Sequence, residues 1–127
     1  KEFTETISYL PHNEVLKQIC TSQLLLLPLN DTPNTLGIIP GKIFEYIAAK
    51  RPIFAIGNED GDAASIINET KAGVICDFKN NEKMKTEILK MYNQYKENNL
   101  TIENVDITKY SRKNKTAEIS SLLNSIK

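Results

Sequence analysis

The chain is poor in the residues from which metal and redox sites are usually built. Its 127 residues include no tryptophan, one histidine and two cysteines. Cys20 and Cys76 stand in apolar contexts and match no metal-ligand spacing. This argues against a zinc site and for two buried free thiols in a reducing, cytoplasmic setting, with a structural disulfide as the alternative. Charge of one sign is also lacking. The 16 basic and 16 acidic side chains cancel, which leaves no broad electrostatic footprint for nucleic acid. No apolar run approaches the ~20 residues of a membrane span, and no secretory signal pattern, internal repeat or low-complexity tract stands out.

What is present suits one ordinary globular domain over residues 1–127, with 40% hydrophobic and 25% charged residues. The chain starts at Lys1 rather than Met, so an N-terminally truncated piece of a longer protein is expected.

Hydrophobic periodicity alternates between the two regular types. Phe3, Ile7 and Tyr9 alternate with polar residues, as in a short strand reaching about Leu10. Pro11 breaks it, and Asn13 is a suitable N-cap for a helix over 14–21 that buries Leu16, Ile19 and Cys20. Residues 24–27 are four consecutive leucines, a strand expected to be buried on both faces. A polar stretch without periodicity runs from 29 to 39, and loops of that length are often functional. Pro40 opens a helix with Ile43, Phe44, Ile47 and Ala48 on its core face. Residues 52–56 are the next buried strand. Asp60 or Asp62 then caps a helix through Ala63, Ile66 and Ile67, and Val74, Ile75 and Cys76 form a last strand. Asn80 or Asn81 caps a longer helix with apolar positions at Met84, Ile88, Met91, Tyr92 and Tyr95. Asp106 starts a final helical region carrying Ile119, Leu122, Leu123 and Ile126. Strands alternating with helices predict an α/β fold: a Rossmann-like parallel sheet with helices on both faces.

In such a sheet the loops that leave strands and enter helices share one edge, where ligands bind. Here they are residues 9–13, 28–39, 57–62 and 77–81. The second leads into Gly37, Ile38, Ile39, Pro40, Gly41 and Lys42. A helix starting there offers free backbone N–H groups, a glycine that permits close approach, and the Lys42 ammonium: a setting for phosphate. At about 100° per residue, Glu45 lies about 200° from both Ile43 and Ile47, off the core face, and about 60° from Lys42. A carboxylate so placed can accept hydrogen bonds from a ribose diol. Phosphate and diol acceptors one turn apart make a nucleotide site. The plainer alternative is an i,i+3 ion pair of Lys42 and Glu45 on a solvated face, with Gly37 and Gly41 serving turn geometry and His12 an ordinary surface residue. A P-loop is ruled out, because Leu36 stands where its first glycine belongs and Ile43 where its Ser or Thr belongs. Asp31 lacks the acidic cluster that a phospho-acceptor would need.

The run from Gly37 through Lys42, Ile43, Phe44, Glu45 and Tyr46 to Ile53, preceded by Leu27 and Pro28, resembles the donor-binding C-terminal domain of GT-B glycosyltransferases of the family 4 type. The 57–61 loop, the following helix, Gly73 and the late helix keep that family's order. The resemblance implies a glycosyltransferase in polysaccharide or related biosynthesis, transferring sugar to a glycan, lipid-linked or other acceptor. It implies that Glu45 binds the ribose, that the backbone at Leu36, Gly37 and Ile38, with Gly41 and Lys42, meets the diphosphate, and that Tyr9 and Leu10 lie against the base. The donor is a nucleotide-diphosphate sugar, with no separate cofactor and no metal. The implied partner is an N-terminal acceptor-binding domain of the same chain, through which alone any peripheral membrane association would come. The helix near Tyr110 resembles the one that reaches back to that domain. Family members carry an earlier Glu eight positions before the ribose-binding one, and here that position is Gly37. Two further strands, with basic residues that neutralise the leaving diphosphate, are expected to be missing. The catalytic residues stay unassigned and the piece is expected to be inactive alone. The reading of a different class is a non-catalytic nucleotide-binding or protein-interaction α/β module.

Overall fold

The computed structural model describes residues 3–102 and 107–126. Among these, the chain forms three parallel strands, β1 (Leu25–Pro28), β2 (Ile53–Ile56) and β3 (Gly73–Cys76), in the order β1-β2-β3. Five helices accompany them: α1 (His12–Thr21), α2 (Lys42–Ala48), α3 (Asp62–Glu69), α4 (Asn81–Lys96) and α5 (Arg112–Ser125). Single 3-10 turns occur at Thr35–Gly37 and Thr108–Tyr110. The α/β architecture with a parallel sheet flanked by helices is the one expected from the alternating periodicities.

The register aligns Leu25, Ile53 and Gly73, then Leu26, Phe54 and Val74, and so on to Pro28, Ile56 and Cys76. Because side chains alternate along a strand, Leu27, Ile53, Ala55 and Ile75 share one face. They are buried with Ile43 and Ile47 of α2 and with Ala63, Ala64, Ile66 and Ile67 of α3. Phe54 and Cys76 on the opposite face are buried with Met91 of α4, with Leu24, Ile56, Val74, Met84 and Leu100 partly buried around them. Full burial of a side chain such as Ile43 contributes about 1.5–3 kcal/mol, so the α2–α3 face is the firmer of the two. Gly73 is what lets the middle of the sheet close. A Cβ there would stand 1.9 Å from the Ile53 carbonyl oxygen.

Several expectations are corrected. Residues 4–11 are not a strand, and Phe3 and Tyr9 are almost wholly exposed. The imperfect alternation there finds no sheet edge to pair with, and an unpaired strand does not hold itself. Helix α1 starts at His12 with Pro11 as its N-cap and no side-chain cap, so Asn13 lies inside it. Only Ile19 of its stripe is buried, while Leu16 and Cys20 are exposed. Both cysteines are free, but just one is buried: at Cys76, desolvation pushes the thiol pKa above its ordinary value. Strand β1 is an edge strand. Leu25 and Leu27 are buried, yet Leu26 is 57% exposed, so the leucine run is covered on one face only. Phe44 and Ala48 of α2 are exposed; the helix buries Ile43 and Ile47, with Tyr46 partly buried against the same core and the Phe44 ring beside Tyr110. Helix α3 takes Gly61, not an aspartate, as its N-cap. Of the apolar positions on α4 only Met91 is buried, and none on α5 is. The expected start at Asp106 lies outside the described residues. Helix α5 itself begins after Ser111, whose side chain accepts the Asn114 N–H. Asn80 does cap α4, accepting the Lys83 N–H. No helix among the described residues is long and apolar enough to cross a membrane.

Candidate functional site

The three strands end at Pro28, Ile56 and Cys76, so the segments 29–41, 57–61 and 77–80 line one edge of the sheet, the edge at which parallel α/β sheets bind ligands. The long first segment is not structureless. The Thr35 hydroxyl donates to the Asn30 carbonyl (2.9 Å), and the Thr35 N–H donates to Thr32 (2.9 Å). The 3-10 turn Thr35–Gly37 then presses against α3: a Cβ on Gly61 would come within 3.2 Å of the Leu36 carbonyl oxygen.

This turn changes what the backbone offers a ligand. The Gly37 and Ile38 N–H groups already donate to the Asn34 and Thr35 carbonyls, both at 3.3 Å. At the start of α2, Ile43 and Phe44 donate to Pro40 (3.0 Å) and Gly41 (3.2 Å). Among the described residues, Gly41 and Lys42 donate to no backbone carbonyl. Those two amides are therefore the ones left without a backbone acceptor at the start of α2, because the Pro40 and Gly41 carbonyls take up the next two. With seven residues, α2 also has a small dipole.

The two glycines of this segment are not required by the fold around them. No glycine among the described residues has a positive φ, and Cβ atoms on Gly37 and Gly41 would meet nothing within 4 Å. Turn geometry therefore does not explain them. At Gly41 the backbone is plainly helical, with φ −56° and ψ −31°.

Glu45 stands off the core face as expected, between the buried Ile43 and Ile47, with its side chain 39% exposed. Among the described residues Glu45 forms no ion pair with Lys42 of its own helix; the side chain that approaches it is His12 at the start of α1, whose Nε2 lies 4.0 Å from the Glu45 Oε1. The charge of Glu45 also adds to desolvation, the larger cause, in raising the neighbouring Tyr46 phenol pKa. The structure thus brings the 9–13 segment to α2, although no strand precedes it among the described residues. His12 is the surface residue expected, with its side chain 70% exposed, and it is also the group that approaches Glu45. Tyr9 is 93% exposed and Leu10 half-buried, and no hydrogen bond ties either to the site. Leu36 is half exposed and turns its carbonyl towards α3.

The other end of the edge is built differently. Glu59 Oε1 accepts the Asp77 N–H (2.9 Å) and Oε2 accepts the Lys83 ammonium (2.8 Å), tying the second loop to the third and to α4. The Lys83 hydrogen bond, then that from Asp77, hold the Glu59 carboxyl below the usual carboxylate range, and Glu59 in turn raises Lys83. An open depression of about 520 Å³ there is lined by Asn58, Glu59, Asp60, Asp77, Lys79 and Asn80. Glu59, Asp60 and Asp77 at this end are accompanied by Lys79 and by the Lys83 ammonium paired with Glu59, which leaves it mildly acidic. No group of three or more metal-binding side chains occurs among the described residues.

Comparison with protein-family models, with curated proteins and with solved structures finds no match to this chain.

Proposed function

We propose that the chain is the donor-binding part of a glycosyltransferase, a GT-B-type nucleotide-sugar domain in which Glu45 accepts hydrogen bonds from the ribose. The observation that carries the reading is the pair Gly37 and Gly41. Neither backbone conformation nor packing demands a glycine at either position, and both lie just before the helix that presents an off-core carboxylate. Glycines with open space where a Cβ would stand leave a ligand room to approach the backbone. The Gly41 and Lys42 amides and the Lys42 ammonium are the groups for the diphosphate, and the mildly acidic β2–β3 end favours their side of the edge.

In the complete enzyme, donor binding would place the anomeric carbon at a cleft formed with an acceptor-binding domain. Catalysis would come from positioning and from stabilising the nucleoside diphosphate as it leaves. The site as it stands holds no base aimed at an acceptor and only one lysine for the diphosphate, so the chain alone binds but does not transfer. Helix α5, with Ile119, Leu122, Leu123 and Ile126 all more than half exposed, is the surface available to such a domain.

The test is titration calorimetry with nucleoside diphosphates. Binding is expected to be weak, and Glu45→Ala should reduce it about 10-fold or more without altering the melting temperature, the loss of a hydrogen bond to a charged group. Equal affinity in that variant would remove Glu45 from the site. A full-length protein that neither hydrolyses nor transfers from any nucleotide sugar would end the enzyme reading.

A further inference from the structure

We propose that His12 is a second ribose-contacting side chain, which together with Glu45 makes the site select for an intact vicinal diol. This rests on the reading of Glu45 given above and extends it to an element that the Glu45 helix does not contain. The separation of 4.0 Å between His12 Nε2 and Glu45 Oε1 is too long for a hydrogen bond between them, which would need about 2.7–3.2 Å. Neither group has its hydrogen-bonding capacity taken up by the other. Both are open to a ligand, His12 being 70% and Glu45 39% exposed. The other carboxylate of this turn of α1 does not compete, because Glu14 is held by Lys17 at 2.9 Å.

The chemistry of the pair fits two adjacent hydroxyls. A carboxylate only accepts, so Glu45 accepts a hydrogen bond from one hydroxyl. A neutral imidazole nitrogen donates or accepts according to its tautomer, so His12 meets the neighbouring hydroxyl in either sense. One exposed carboxylate would hold a sugar edge loosely. Two groups on separate elements, α1 and α2, set both hydroxyls and so discriminate against a ligand that lacks them. The selected ligand class is a ribonucleoside diphosphate or its sugar ester.

The experiment compares uridine, guanosine and adenosine diphosphates with their 2′,3′-dideoxy counterparts by calorimetry. The chain and its His12→Ala and Glu45→Ala variants are each measured. The wild-type chain should prefer the ribo form. His12→Ala should cut that preference about 3- to 10-fold, the worth of one net hydrogen bond, while affinity for the dideoxy form changes little. A merely structural role would weaken both forms alike, and that result would overturn the proposal. So would a His12→Ala variant with the wild-type preference while Glu45→Ala loses it, and in that case the ribose role of Glu45 survives. If no nucleoside diphosphate binds, or Glu45→Ala keeps the full preference, the ribose site itself fails and His12 falls with it.

Discussion

The two ends of the sheet's ligand edge are built on opposite principles. At the β2–β3 end, small and charged residues are committed to the fold. Gly57 makes room for the Leu29 side chain, Gly61 for the Leu36 carbonyl, and Glu59 bridges two loops and a helix, while Gly73, at the opposite edge where β2 and β3 begin, makes room for the Ile53 carbonyl. At the β1–α2 end, Gly37 and Gly41 face open space and Glu45 meets only a distant imidazole. Glycine is also missing where backbone conformation would favour it. The left-handed positions after α2, α3 and α4 are held by Lys50, Lys71 and Asn98, with φ of 53°, 47° and 54°. At Gly57, Gly61 and Gly73 glycine marks close contact rather than turning. A residue that the fold requires and a residue that the fold merely permits can thus be told apart by what a Cβ would touch.

The comparison is broken or sharpened most strongly by Gly73→Ala. A Cβ 1.9 Å from a paired strand's carbonyl oxygen cannot be relieved without separating β2 from β3. The loss is expected to be at least about 3 kcal/mol, enough to threaten folding. Urea denaturation would measure it, and a loss below 1 kcal/mol would show the sheet to be looser than described. Gly57→Ala should cost less, about 1–2 kcal/mol, because the atom it meets is the end of the Leu29 side chain, which can turn away.

Lys50→Gly should stabilise the chain by about 1 kcal/mol, since a left-handed conformation is unfavourable for a residue with a Cβ. A lower denaturation midpoint in that variant would contradict the claim about where glycine is needed. Glu59→Gln should destabilise by about 0.5–1 kcal/mol at neutral pH, as expected for a partly exposed ion pair. Its pH dependence has a definite sign. The folded carboxyl lies below its ordinary value, so its contribution is full above the unfolded value near 4.3 and is lost as pH falls through the folded one. The wild-type melting temperature should therefore fall more steeply than that of the variant on acidification below about pH 4.5. Parallel curves would remove Glu59 as the bridge.

The smallest effect on stability is expected at the open end. Gly37→Ala and Gly41→Ala should each stabilise by a few tenths of a kcal/mol, through the unfolded chain's reduced freedom. The same variants should lose nucleoside diphosphate affinity severalfold, because a methyl group would stand between ligand and backbone. Gains in stability with unchanged affinity would leave these glycines without a role.

Much of this architecture was legible along the chain. Continuous apolar runs announced β1 and β2, the four-and-three spacing announced α4, and a residue two places from both Ile43 and Ile47 had to leave the core face. What misled the reading of residues 3–10 and of the α5 stripe was the same signal. Periodicity reports a face that could be buried, and burial also needs a partner. Leu26, Leu122 and Leu123 are as apolar as Leu27, yet only Leu27 finds one.

By itself, therefore, the sequence determined the local elements, their order and the direction in which Glu45 points, because these depend on spacings within a few residues. The tertiary structure alone decided that His12 reaches Glu45 and which glycines are indispensable. Those facts depend on distances between segments far apart in the chain. Such distances are set by how strands pair and helices dock, and no local pattern encodes them.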